Sequence, residues 1–248
     1  MAKRMRLDKL LSNMGFGTRS EIRKVVKQGR VTVDGAVVKD FGLNLDPDSQ
    51  TVMIDDEKVI YKDTIYVMLN KPQGVISATE DTRDRTVIDL LDPDDQVLQP
   101  FPVGRLDKDT EGLLLLTNDG KLAHDLLSPK KHVPKTYEAI VHGDVDASDQ
   151  EAFAEGVTLD DGYKTMPAKL IIGEKESRED GIYSRITLTI HEGKFHQVKR
   201  MFEAVGKKVV YLRRISMGPL ALDESLPLGS YRPLTEAELE SLQNVHAK

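Results

Sequence analysis

The sequence predicts an α+β protein: a small N-terminal module of two short helices and a β-hairpin, then a larger domain built on a mixed, largely antiparallel sheet with flanking helices. Three observations lead there. Within residues 5–30, apolar positions recur at helical spacing, Leu7, Leu10, Leu11 and Met14 in one run and Ile22, Val25 and Val26 in the next. Directly afterwards VTVDGAVV carries Asp34-Gly35, a pair suited to the two positive-φ positions of a type I′ turn. Beyond residue 63, strand-like runs do not alternate strictly with crossover helices, which favours α+β over a doubly wound parallel sheet.

Taken in order, the first helix is broken by Gly15-Phe16-Gly17. Thr18 or Ser20 is placed to N-cap the second, and Gly29 stands where a C-cap is expected. The polar stretch Tyr61–Asp63 predicts a linker, giving a module of residues 1–62 and a domain of residues 63–248. Strands are expected at 65–70, 112–117, 136–142, 165–172, 184–190 and 208–214. Helices are expected at 86–91, 121–127, 148–155, 196–205 and 235–243. Ile186, Leu188 and Ile190 alternate with polar residues, as in a strand with one wet face. Leu113–Leu116 is entirely apolar and calls for burial on both faces. In the helix at 195–205, Val198, Met201, Phe202 and Val205 form an apolar stripe, leaving His196, Lys199, Arg200 and Glu203 on the opposite side. Lys71-Pro72-Gln73-Gly74 reads as an ordered loop.

Composition narrows the function classes. Hydrophobic residues at 39% and charged residues at 31% fit a globular protein with real cores. No apolar run approaches the roughly 20 residues of a membrane span, and MAKRMRLDKLL lacks the apolar stretch of a secretory signal. The chain has no cysteine, which removes disulfides, thiol catalysis and Cys-based zinc sites and is compatible with a cytoplasmic setting. The net charge of −6 is unevenly placed. Residues 1–30 carry Lys3, Arg4, Arg6, Lys9, Arg19, Arg23, Lys24, Lys27 and Arg30 against Asp8 and Glu21, a balance of +7. Residues 194–214 carry a further +6. Basic patches on an acidic body suit a reader of phosphate backbones, although charge runs read equally as solvated helix faces.

The segment GRLDKDTEGLLLLTNDG, residues 104–120, leads from a polar, glycine-bounded loop into a buried strand, a place where catalytic groups tend to sit. Asp107, Asp109 and Glu111 alternate as in a calcium loop, but the remaining ligand pattern of an EF-hand is missing. Neither a dinucleotide fingerprint nor a phosphate-binding GxxxxGK[ST] is present. By spacing alone the segment also reads as a structural turn, Tyr137 as core, Arg105 as part of a loop salt bridge, and the face of the 195–205 helix as solvated.

GRLDKDTEGLLLLTNDG closely resembles the catalytic motif of the pseudouridine synthase family that acts on ribosomal RNA. Residues 5–50 resemble an S4 RNA-binding domain. YVMLNKPQG (66–74), KTY (135–137), EGKFHQVKRMF (192–202) and SYRPLTE (230–236) match the family's other motifs in order. The resemblance implies that Asp107 is the catalytic carboxylate, that Arg105 enters the space near an extruded nucleotide, and that Tyr137 stacks on the target base. It implies that Lys199 pairs with Asp107, where relatives of broader substrate range carry arginine. Lysine cannot fork onto a carboxylate, so Arg200 is a candidate to share that role. Lys71 and Gln73 are weaker candidates for phosphate or loop contacts. Arg6, Lys9, Arg19, Arg23, Lys24, Lys27 and Arg30 are the implied RNA contacts of the S4-like module.

The chemistry so implied breaks the bond from uracil N1 to the ribose and remakes it to C5. It involves no net redox change and needs no cofactor or metal, but does need an ionised carboxylate as nucleophile or proton acceptor. Burial disfavours that charge, and a cationic neighbour favours it. YKTMPAKL, HQVKRMF and YRPLTE resemble the small-subunit (16S) branch of the family. That implies a uridine of 16S rRNA in a small-subunit assembly intermediate as substrate, and a monomeric cytoplasmic protein without a membrane partner. A 23S rRNA enzyme, a non-catalytic S4-type ribosome-assembly factor and a metal-dependent phosphoryl-transfer enzyme remain as alternatives.

Overall fold

The computed structural model describes residues 4–246; Lys3, counted in the basic N-terminus, lies outside them. The chain divides into two compact units. One runs through Ile65 and takes in Leu91–Pro100; the other holds Tyr66–Leu90 and the described residues from Phe101 on.

In the first unit β1 (Met5–Arg6) leads into α1 (Leu7–Asn13) and α2 (Arg19–Lys27). Thr18 closes α2 reciprocally: its side chain accepts from the Glu21 amide while the Glu21 carboxylate accepts from the Thr18 amide. Next come β2 (Val31–Val33) and β3 (Ala36–Val37), joined by Asp34 at φ 50° and Gly35 at φ 81°, the two left-handed residues that a type I′ turn requires. They are followed by β4 (Asn44–Leu45), β5 (Val52–Ile54) and β6 (Glu57–Lys58). The antiparallel order is β3-β2-β5-β6, and β1 pairs with β4. Leu7, Leu10, Leu11, Ile22, Val26, Val31 and Leu45 are buried together beneath the helices. The short α3 (Pro93–Gln96) was not expected; Pro93 starts it at a position where a missing N–H costs nothing.

The second unit contains β7 (Tyr66–Lys71), β8 (Phe101–Pro102), β9 (Glu111–Thr117), α4 (Gly120–Leu127), β10 (Lys135–His142) and α5 (Ala147–Glu155). It continues through β11 (Lys169–Arg178), β12 (Gly181–Ile190), α6 (Gln197–Ala204), β13 (Lys208–Met217), β14 (Leu220–Ala221), β15 (Tyr231–Pro233) and α7 (Glu236–Gln243). The sheet runs β11-β12-β10-β13-β9-β7-β15, with β8 on β9 and β14 on β13. Every pairing is antiparallel except β13 with β9. At that junction Gly112 faces Arg214. A Cβ there would lie 2.2 Å from the Arg214 carbonyl oxygen, and φ is +102°, so both space and backbone demand glycine. Leu113 to Leu116 have no exposed surface, as an all-apolar strand requires. Leu113 and Leu115 pack with Leu122 and Leu126 of α4, and Phe202 of α6 meets Phe153 of α5 edge to face at 5.0 Å.

Two expected elements differ. The helix at 86–91 is only a single 3-10 turn, Ile88–Leu90. Asp92, which precedes Pro93, is held extended (φ −64°, ψ 149°), so the helix cannot continue through it. The strand expected at 165–172 begins at Lys169. Before it, the amides of Thr165 and Ala168 are committed to the carbonyls of Val157 and Phe153. It then runs on to Arg178 through polar, exposed residues held by backbone pairing to β12, where no apolar alternation signals a strand.

Candidate active site

Asp107 sits on the loop between β8 and β9, and the loop is pinned through its backbone. The Thr110 amide donates to the Asp107 carbonyl at 3.0 Å, and the Gly74 amide to the Lys108 carbonyl at 2.8 Å. Ser77 Oγ accepts from the Leu106 amide and donates to the Leu106 carbonyl, both at 3.0 Å. Lys71, at the end of β7, is fully buried and points its ammonium into the loop. It donates to the carbonyls of Pro72 (3.0 Å), Asp107 (3.0 Å) and Thr110 (2.9 Å). Burial pushes this ammonium down to about 8 against the opposing pull of Asp107, Asp109 and Glu111. Of the phosphate or loop contacts considered for Lys71, its ammonium makes loop contacts, as a strut beneath the loop. Gln73 is exposed.

The Asp107 carboxylate meets α6. Lys199 Nζ lies 2.9 Å from Asp107 Oδ2 and 2.7 Å from Asp109 Oδ1, so one ammonium bridges two carboxylates. Burial pushes the Asp109 carboxyl up, but the Lys199 ammonium outweighs it and holds the group below the ordinary carboxylate range. Lys199 is held above its ordinary value: burial lowers it, and the two carboxylates more than compensate. His196 Nε2 is 3.5 Å from Asp107 Oδ1. Its backbone is left-handed (φ 47°), and its ring stacks on exposed Phe195. Sequence reasoning placed His196 on the polar side of the helix without assigning it to the site. Arg200 does not share the pairing. It binds Asp160 (2.6 Å) and Asp161 (2.7 Å) and the carbonyl of Phe195. Successive helical residues point about 100° apart, so adjacent cations cannot both face one loop.

A cavity of about 320 Å³ opens beside this carboxylate. Asp107, Arg105, Tyr137, His196, Lys135 and Arg214 line it, with apolar Leu106, Val133, Ile190 and Leu212 between them. Tyr137 stands on β10, paired with Leu188 of β12 on one side and Arg214 of β13 on the other, and is 8% exposed. Arg105 is exposed and has no salt bridge among the described residues. Thus Arg105 and Asp107 from one motif and Tyr137 from another face one concavity. Lys135 and Arg214 were not chosen. The one available signal was that Lys135 lies two residues before Tyr137, hence on the same strand face. Among the described residues no group of His, Asp and Glu side chains is arranged to hold a metal ion, and no helix is long and apolar enough to cross a membrane.

Residues 65–204 match the family model described as RNA pseudouridylate synthase, and residues 5–50 match the S4 domain. The chain belongs to the RNA pseudouridine synthase family. A Bacillus subtilis relative, called an uncharacterized RNA pseudouridine synthase, is 55% identical over 98% of this chain and 100% of its own length. The ribosomal small subunit pseudouridine synthase A of Haemophilus influenzae is 40% identical over 96% of this chain and 99% of its own. A crystal structure of a pseudouridylate synthase is 39% identical, covers 96% of this chain and 99% of the solved one, and superposes with a TM-score of 0.64. Within a chain of this family the concavity brings together a carboxylate paired with a cation, an aromatic ring and a space of about 320 Å³.

The S4 domain of this pseudouridine synthase presents its cations unequally. Arg6 forks onto buried Asp8 at 3.1 and 2.9 Å, and Arg23 reaches the same carboxylate at 4.0 Å while lying over Phe41. Arg30 forks onto Asp55. Lys9, Arg19, Lys24 and Lys27 are exposed and without a salt bridge among the described residues.

Proposed function

We propose that this pseudouridine synthase isomerises one uridine of small-subunit (16S) ribosomal RNA, with Asp107 as its catalytic carboxylate. The observation that carries the reading is the position of Asp107 at the wall of the cavity, 2.9 Å from Lys199, within the family's motif. The choice of substrate is supported by relatives from Haemophilus influenzae and Yersinia pestis named ribosomal small subunit pseudouridine synthase A, each 40% identical over 96% or more of the chain.

The target uridine leaves its stack, and Tyr137 offers a ring face in exchange for the lost base stacking. Arg105 fills space beside the extruded nucleotide. Asp107 acts on the ribose, as nucleophile at C1′ or as base at C2′, while the N1 bond breaks; Lys199 balances its charge. The free uracil turns to present C5, the C5–C1′ bond forms, C5 gives its proton to solvent and N1 gains one. The S4 domain contributes phosphate contacts through Lys9, Arg19, Lys24 and Lys27, an affinity that weakens with salt. Arg6, Arg23 and Arg30 are assigned to the domain's own ion pairs. The protein is assigned to the cytoplasm as a monomer acting on a small-subunit assembly intermediate.

Tritium release from RNA labelled at uridine C5 tests the reading. The expected result is release from 16S transcripts or precursor particles and loss of release in Asp107→Ala, which still binds RNA. Release from 23S transcripts alone overturns the substrate choice, and no release from any ribosomal RNA overturns the activity.

A further inference from the structure

The lining of the cavity includes two cations, Lys135 and Arg214, that face no carboxylate as a salt-bridge partner among the described residues. Lys135 and Tyr137 are two apart on β10 and leave the same sheet face, and Arg214 of β13 is paired with Tyr137. Arg214 is 2% exposed. Its Nε donates to the Leu113 carbonyl at 2.9 Å, while its Nη2 is buried with no hydrogen-bond partner. The half-buried Lys135 ammonium donates to the Val133 carbonyl at 3.1 Å. Neither cation has a salt bridge among the described residues. Burial, and then repulsion from Arg214, push Lys135 down to about 8. The acidic groups that share the cavity are committed elsewhere. Asp107 faces Lys199, and Glu192 accepts from the Tyr163 hydroxyl (2.6 Å), the Met166 amide (2.8 Å) and Gln197 Nε2 (2.8 Å).

Two desolvated like charges without a counter-ion are costly in the resting protein. Such an arrangement is suited to an anion that visits the cavity. We infer that Lys135 and Arg214 stabilise the uracil anion released when the glycosidic bond breaks. The inference rests on reading the cavity as the uridine site. As the C1′–N1 bond breaks, its electron pair goes to N1 and spreads onto O2 and O4, while C1′ is taken by the Asp107 carboxylate or the C2′ proton passes to it. The pair then returns through C5 to form the new C5–C1′ bond as the carboxylate leaves or gives back the proton; the C5 proton goes to solvent and N1 is protonated. Product and substrate are isomers, and negative charge exists on the base only between them. Donors fixed in advance at that position act on the barrier more than on binding. A backbone phosphate is the other anion with matching chemistry, but its charge is present throughout and would strengthen ground-state affinity instead.

The test compares short RNAs carrying uridine or 5-fluorouridine at the target position. Fluorine stabilises the uracil anion, so a 5-fluorinated base needs less help to leave. The saturated single-turnover rate is read as loss of the target nucleoside after nuclease digestion, alongside the Kd for RNA and its salt dependence. Lys135→Met and Arg214→Gln are expected to slow the uridine substrate by about 100-fold, the scale of losing one charge-stabilising donor. The Kd is expected to hold, and the penalty to shrink by at least about tenfold with 5-fluorouridine, the factor that a 1.4 kcal/mol easing of the barrier produces. Lys135→Arg is expected to recover much of the rate. Equal penalties on the two substrates overturn the proposal, as does a loss confined to Kd with a shallower salt dependence, which marks a phosphate site. Because Lys135 is half-buried, its variant keeps the test decisive if Arg214→Gln misfolds. Wild-type protein that makes no pseudouridine, by contrast, refutes the proposed function itself.

Discussion

Lys199 holds two carboxylates with one ammonium, and that arithmetic makes it sensitive to substitution. Lys199→Met leaves Asp107 and Asp109 without the cation that bridges them. The turnover rate is expected to fall, as read by single-turnover kinetics. Lys199→Arg should keep most of the rate. A single-turnover rate unchanged in Lys199→Met would contradict this account. Asp107 was legible in the sequence as a candidate because its motif is local. Its cation was not settled there, because Lys199 and Arg200 are neighbours 92 and 93 residues away and only the rotational setting of α6 tells them apart. That setting follows from burying Val198, Met201 and Phe202, and Arg200 is thereby turned toward Asp160 and Asp161.

At the scale of elements, the loop bearing Asp107 depends on β7 through Lys71. Lys71→Met removes the donor from three carbonyls inside the protein; each unsatisfied buried acceptor costs about 1–3 kcal/mol. A clear loss of thermal stability and of rate is expected, measurable by calorimetry and single-turnover kinetics. In the S4 domain Thr18→Ala removes the cap of α2 and should cost about 1 kcal/mol, read as a lower melting temperature. At the C-terminal end Arg232 pairs with Asp223 (2.7 Å) and forks onto Glu238 (2.8 Å on each oxygen). Asp223, through Ser225 and then Arg232, and Glu238, chiefly through Arg232, are each held down to about 2 from ordinary values of 3.8 and 4.5. A carboxyl lowered on folding stabilises above its unfolded value and loses that contribution as pH falls toward the folded one. Stability should therefore decline from pH 4.5 to about 2, and Arg232→Gln should flatten that part of the melting-temperature curve. This ion cluster left no mark in the sequence pattern, whereas the Asp34-Gly35 hairpin and the Thr18 cap did, since turn and cap chemistry is confined to a few consecutive residues.

For the molecule as a whole, the net charge of −6 conceals a basic S4 domain, yet part of its apparent charge is spent internally on Asp8 and Asp55. Replacing Lys9, Arg19, Lys24 and Lys27 together with glutamine should weaken RNA binding. The slope of log affinity against log salt should fall by up to about 0.7 for each phosphate of single-stranded RNA that these cations no longer neutralise. The same substitutions at Arg6 and Arg30 should act mainly on stability, as seen by thermal melting.

By itself the sequence determined the α+β class, the S4 helices and hairpin, the doubly buried strand Leu113–Leu116, and the family motif that holds Asp107. All of these are written in neighbouring residues, through periodicity, turn chemistry or a contiguous signature. Tertiary structure decided that Lys71 points inward, that Lys199 and not Arg200 meets Asp107, that Asp8 and Asp55 claim three arginines, and that Lys135 and Arg214 share a wall without a counter-ion. The physical reason is common to them. A charged side chain's partner is set by strand register and helix rotation across long stretches of chain, and those are settled only when the apolar faces close on one another.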